Sequence, residues 1–266
     1  MIRTDIAVSD AVEFWSFAGA AANVVMQLSW PEVGYGVVES RVESGSLMHH
    51  PWKRARTTTQ YLAVAVLGTD AERAAYREAV NEAHRQVRSG PGSPVAYNAF
   101  DRRLQMWVAA CLYVGFEDTY QLLHGRMTDQ QREHFYLSAM PLGTTLQVTA
   151  DQWPPTRAAF DEYWNAACQR VQIDDAVREY LTALVRLEMV RWPLRVSFGP
   201  LLRFLTIGTL APVFRDAMGW RWTDAHQRWF NRLFLAVGVV NRWLPRSIRQ
   251  GPSLVLIGDV RRRIRR

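Results

Sequence analysis

The chain has 266 residues, 48% of them hydrophobic, with eleven Trp and eleven Phe, enough apolar matter for one large domain or two small ones. Its two cysteines, Cys111 and Cys168, make no disulfide framework and stand in no metal-ligand spacing, which fits a reducing cytoplasm. The net charge of +7 rests largely on the five arginines of the final RRRIRR; no nucleic-acid motif accompanies them, which leaves a solvated basic end or contact with an anionic membrane as the readings of this tail.

In chain order, MIRTDIAVSDAVEFW puts acidic residues where an export signal needs an apolar core, so a cytoplasmic protein is expected. The apolar stretch 10–30 predicts a helix bounded at Ser29-Trp30-Pro31. Residues 34–50, with Gly34, Gly36 and Gly45, read as a turn, a short helix and a loop. A helix follows from Pro51 to Leu67, stopped by Gly68, and Thr69-Asp70 cap the next, over 71–88. After the loop 90–97, helices are predicted over 101–124, closed by Gly125, and 129–140, opened by Thr128. Residues 141–154 read as irregular. Thr156 opens a helix to 171, Asp174-Asp175 another to 189, and two or three more fill 198–247. Arg203 and two prolines interrupt the longest apolar run, 196–214, which argues against a membrane span. LVLIG (254–258) is the lone strand candidate. With no repeat and no clear linker, the expectation is an all-α single domain over 1–266, with 248–266 as a basic C-terminal tail.

Two consecutive helices carry polar residues on apolar faces. His84 falls on the stripe of Tyr76, Val80 and Val87, at spacings of four, eight and three, and so faces inward. A buried neutral imidazole either offers a lone pair to a metal or satisfies a backbone carbonyl. Arg54 and Thr58 share a face with Tyr61, Leu62 and Ala65. Polar groups so placed need partners: a cofactor carboxylate, a bound oxygen, or a carboxylate from another helix. The remaining histidines, His49, His50, His124, His134 and His226, sit in loops, at a helix end or among charged residues. No phosphate loop, zinc-protease or nucleophile-elbow motif occurs, and Gly34-Tyr35-Gly36 follows no strand.

The segments GAAANVVMQLSWPEVGYGVVES (19–40), PWKRARTTTQYL (51–62), VNEAHRQV (80–87), YNAFDRRLQMWVAACL (97–112), DQQREHFYLSAM (129–140) and APVFRDAMGW (211–220) resemble, in order and spacing, the family of MpaB oxygenases and rubber-cleaving latex-clearing proteins. The resemblance implies a globin-like core of roughly 10–13 helices around haem b, with His84 as the iron ligand and O2 bound trans to it. It places Arg54 and Thr58 on the oxygen side as catalytic and cofactor-binding residues, with Thr57 beside them. It further implies oxygenase-like oxidation of a hydrophobic small molecule with an unspecified electron donor, and no nucleic acid. Two departures are visible. Thr57 stands where rubber-cleaving members carry an iron-capping lysine, and Ser138 stands in a segment where many members carry a glutamate able to act as acid or base. A non-catalytic haem carrier or sensor, and a helical protein that has lost the cofactor, are the alternative readings.

Overall fold

A computed structural model describes residues 5–40, 42 and 45–264, with the side chains of Ser16 and Ile264 excepted. Among these residues the architecture is all-α, with one isolated antiparallel bridge, Arg88 to Asn98, as its sole β contact. Two short 3-10 turns (Val8–Asp10 and Phe14–Gly19) lead into α1 (Ala20–Leu28) and α2 (Pro31–Val38). Then come α3 (Pro51–Leu67), α4 (Asp70–His84) and the long α5 (Arg102–His124). The middle of the chain forms α6 (Asp129–Ser138), α7 (Pro141–Thr144), α8 (Arg157–Cys168) and α9 (Asp175–Val185). The last third forms α10 (Trp192–Thr209), α11 (Pro212–Ala217), α12 (Asp224–Trp243), α13 (Arg246–Arg249) and α14 (Gly251–Ile264).

Local chemistry explains the starts. Thr69, Thr128 and Thr223 each accept a bond from the backbone N–H three residues on, and Asp101, Thr156 and Asp174 cap α5, α8 and α9 in the same way. Pro at the first helical position opens α2, α3, α7 and α11.

Several segments depart from the sequence-based expectation: the helix expected over 10–30 starts at Ala20, after the two 3-10 turns, and 141–154, expected to be irregular, contains α7. Residues 31–38 are helical despite Gly34 and Gly36. Gly34 is required by packing, since a Cβ there would lie 2.8 Å from the Leu28 carbonyl and 2.9 Å from Val177. The strand candidate 254–258 lies inside α14, where Ser253, Ile257 and Val260 recur at helical spacing and are buried. The basic tail is correspondingly a packed helix. α14 lies along α3, Arg56 and Gln60 bond Asp259 at 2.7 and 2.9 Å, and Arg261 bonds Glu72 at 2.7 Å. Arg265 and Arg266 lie outside the described residues.

α5 is the spine, with apolar clusters on two sides. One joins it to α6 and α8 through Tyr113, Phe135, Tyr136, Trp153 and Phe160. The other joins it to α1, α2, α9 and α11, and contains a stack of Trp30, Trp107 and Trp164 with ring centroids 4.8 and 5.2 Å apart. Buried Glu117 is neutralised by Arg132 (2.7 Å) and Arg157 (3.0 Å). Glu13, 3% exposed, accepts from Arg249 at 2.5 Å, Asn241 at 3.0 Å and His124 at 3.3 Å, so one carboxylate gathers the N-terminal turns, the end of α5, α12 and α13. No helix among the described residues is long and apolar enough to cross a membrane.

Two outcomes follow from this packing. Burial raises the Glu13 pKa, but the hydrogen bonds of His124 and Asn241 and the charges of His124 and Arg249 outweigh it and leave the value below the ordinary 4.5. A depressed folded-state value contributes stability that is present above the unfolded value and is lost as pH falls through the folded one. Glu13→Ala is therefore expected to cost about 3 kcal/mol at pH 7, and Glu13→Gln to flatten the stability loss below pH 4.5, read from urea melts between neutral and acid pH. In α12, a Cβ on Gly238 would lie 2.7 Å from the Leu123 carbonyl, whereas one on Gly258 in α14 meets nothing. Gly238→Ala is expected to destabilise by about 1–3 kcal/mol and Gly258→Ala to stabilise by up to about 1 kcal/mol, measured by thermal unfolding.

Candidate active site

A cavity of about 550 Å³ lies between α1, α3, α5 and the ends of α4 and α9, within the size range of cofactor and small-molecule sites. Its walls are mostly apolar. α5 contributes Leu104, Val108, Ala109, Leu112 and Phe116, one helical face, and the α9–α10 connection adds Leu187, Met189 and Val190. Leu187 adopts φ 56°, left-handed backbone that a side chain rarely takes. It ends α9 with the Glu188 N–H donating to the Ala183 carbonyl, a bond pattern that usually has glycine at this position.

The face of α3 read from the sequence is the one that meets this space. Pro51, Arg54, Ala55, Thr58, Tyr61 and Leu62 line it, at steps of three and four. Arg54 presents water-accessible surface, but that surface looks into the cavity. Among the described residues no carboxylate pairs with Arg54. Burial pulls its pKa below the ordinary arginine value, against an opposite push from the phenols of Tyr180 and Tyr76. Tyr61, on the same face, is spent on structure. Its hydroxyl donates to the Leu142 carbonyl at 2.6 Å, and burial pushes its pKa well up.

His84 stands on the opposite wall, at the last residue of α4. No residue of α4 is fully buried, and His84 is its one residue among those that line the cavity. The Nδ1 of His84 is buried and has no hydrogen-bond partner, and its ring meets Phe100 edge-on at 6.4 Å. Burial and, secondarily, the charge of Arg54 hold its pKa below 6.5, so the imidazole is neutral at pH 7. Among the described residues no backbone carbonyl accepts from the His84 Nδ1. The other histidines are occupied or exposed. His124 bonds Glu13, the Nδ1 of His134 lies 2.9 Å from the Ile6 carbonyl, and that of His226 lies 3.1 Å from the capping hydroxyl of Thr223.

The family described as "ER-bound oxygenase mpaB/B'/Rubber oxygenase, catalytic domain" matches residues 10–239. The chain belongs to this family. Two similar proteins, one from Mycobacterium bovis and one from Mycobacterium tuberculosis, are each 52% identical over 225 residues, 85% of this chain and 88% of the relative, and both are named as uncharacterised. No solved structure matches the chain.

Within this oxygenase-family domain the structure brings Arg54, Thr58 and His84 to one cavity and leaves two other residues outside it. Thr57 does not line the cavity; its hydroxyl donates to the Arg54 carbonyl at 3.0 Å and its own carbonyl accepts from Tyr76 at 2.9 Å. Ser138 is also remote. Its hydroxyl donates to the Phe135 carbonyl (2.7 Å) and accepts from the Val8 N–H (2.8 Å), so it ties α6 to the first turn. The cavity wall includes a carboxylate that sequence reasoning did not single out, Glu13, whose position before a 3-10 turn carries no periodic signal. Among the described residues no three His, Cys, Asp or Glu side chains cluster as a metal cage.

In an NMR titration, His84 is expected to be half-protonated below pH 6.5, and Arg54→Leu is expected to move its midpoint upward, because one of the two causes of the depression is removed.

Proposed function

We propose that the chain is a haem b-dependent, oxygenase-like oxidoreductase that acts on a hydrophobic small molecule inside the α1–α3–α5 cavity. One observation carries this reading: an imidazole with an unpartnered buried nitrogen and an unpaired guanidinium stand on the walls of the same apolar cavity. A buried ring nitrogen ordinarily finds a partner, and an arginine on an apolar wall ordinarily finds an acid. Here both are left for a ligand.

The residues fit the group. His84 is neutral at pH 7 and would hold the iron through a ring nitrogen. A single imidazole donor would suit an iron whose other ligands belong to a macrocycle. The mostly apolar space of about 550 Å³ would give a porphyrin its contacts, and Arg54 offers the cation that a propionate or a reduced oxygen species needs. Haem b bound there supplies iron-centred activation of dioxygen. The chain does the rest. Arg54 and the Thr58 hydroxyl supply a positive charge and a hydrogen-bond donor on the α3 wall, where negative charge on oxygen would be stabilised. The aliphatic rows of α5 and of the α9–α10 connection keep water out and bind an apolar substrate. Electrons come from a donor outside the chain.

Purified with iron and haem precursor supplied, the wild-type protein is expected to show a Soret band, and His84→Ala to lose or shift it. Arg54→Ala is expected to keep the band and to slow reductant-driven O2 consumption over a panel of lipid-like substrates by about 100-fold or more. A wild-type preparation without a Soret band, or a His84→Ala variant with an unchanged one, overturns the proposal. A Soret band without O2 consumption on any substrate returns a haem carrier or sensor.

A further inference from the structure

The last third of the chain shows a surface that neither the fold nor the cavity uses. α12 is apolar on two sides. Phe230, Phe234, Gly238 and Asn241 are buried against α5 and α10. At 100° per residue, Trp229, Val239, Val240 and Trp243 fall on the opposite side, where they are exposed, Trp229 by 64% and Trp243 by 85%. Arg228, Arg232 and Arg242 interleave with them, and the guanidinium of Arg232 lies 5.5 Å from the Trp229 ring. In the first half of α10, Trp192, Leu194, Val196 and Phe198 are exposed as well, all round the helix. Two helices in contact with each other thus each leave several large apolar side chains in water, more than a folded chain ordinarily exposes.

From these observations we propose that the outer face of α12, with the first half of α10, docks on the surface of an anionic phospholipid bilayer. Charge decides the occupant. From Arg191 to Gln250 there are ten arginines against two carboxylates, Asp216 and Asp224, and of the ten Arg195, Arg246 and Arg249 are drawn to Glu188, Asp10 and Glu13. A second copy of this chain on the same face would set Arg228, Arg232 and Arg242 near their own equivalents across a two-fold axis, with Asp224 as the sole acid of α12 to offset them. A lipid surface meets every requirement at once. Phosphates accept from the guanidiniums, the two indoles sit at headgroup depth, and Val239 and Val240 reach the acyl boundary. No helix needs to cross the bilayer for this. The docking surface is not the C-terminal arginine cluster, whose Arg261 and Arg263 are drawn to Glu72 and Asp259. It also stands independently of what the cavity holds, although the connection that leads into α10 lines that cavity.

Sedimentation with phosphatidylcholine vesicles, with and without phosphatidylglycerol, tests the proposal on the full chain. The wild type is expected to pellet with the phosphatidylglycerol vesicles, to pellet far less with phosphatidylcholine alone, and to be released by salt. The triple variant Trp229→Ser, Val240→Ser and Trp243→Ser is expected to lower partitioning by about tenfold or more while keeping its thermal melt. Brominated lipids should quench tryptophan fluorescence in the unaltered chain, a measurement that needs no variant. Absence of both pelleting and quenching overturns the proposal. So does equal binding by a folded triple variant, or a wild-type dimer in equilibrium sedimentation that the triple variant converts to monomer.

Discussion

A single carboxylate holds the two ends of this molecule together. Glu13 belongs to the N-terminal turns, yet its partners are 111, 228 and 236 residues further along the chain. A charge buried to this degree is tolerable only when its hydrogen-bonding capacity is filled, and three donors from three elements fill it. The geometry of those donors fixes where α12 and α13 lie against α5. It also closes one end of the cavity, whose lining includes Glu13 itself. Nearby, Asp10 repeats the device on a smaller scale by pairing with Arg246 at 3.0 Å.

With the ends fixed, helices can stand apart around a space that none of them fills. Dense aromatic packing lies on the far sides of α5, in the tyrosine-rich cluster with α6 and α8 and in the tryptophan stack with α1 and α2. The cavity side of α5 carries an aliphatic row, Leu104, Val108 and Leu112, that ends at Phe116. Cohesion is thus placed behind the walls, where it stiffens them without occupying the site. Electrostatics inside the space follow from this. Arg54 and His84 share a low-polarity enclosure, so the charge that cannot leave arginine discourages a second one on histidine. Burial is the larger cause of the neutral imidazole, and the neighbouring charge the smaller one.

Much of this was legible from residue order. α3 and α5 match their predicted limits because Pro51, Gly68, Asp101 and Gly125 punctuate them with opposite physical demands at the two ends. The inward direction of His84, and the shared face of Arg54 and Thr58, followed from a period of 3.6. What periodicity could not tell was whether a partner waited for each inward polar group, since partners come from distant elements. Glu13 escaped for the same reason. α2 escaped because Gly34, which reads as a turn residue, is instead a packing residue set against Leu28 and Val177. α14 escaped because five consecutive apolar residues suit a strand as well as a helix, and the deciding contact, Asp259 with Arg56 and Gln60, spans 203 and 199 positions.

Beyond the bond of Asn241 to Glu13, α12 is seated on its inner side by fit. Gly208 of α10 leaves room for the Phe230 ring and no more, and Gly238 lies against the Leu123 carbonyl at the end of α5. A helix anchored through two missing side chains leaves its opposite side under no folding obligation. Under selection the two sides therefore answer to different pressures. The inner glycines have almost no permitted substitutes, while the outward residues can drift in size and charge at little cost to stability. Descendants of this chain could exchange one surface habitat for another by changing a handful of codons, and the helix beneath would keep its seat.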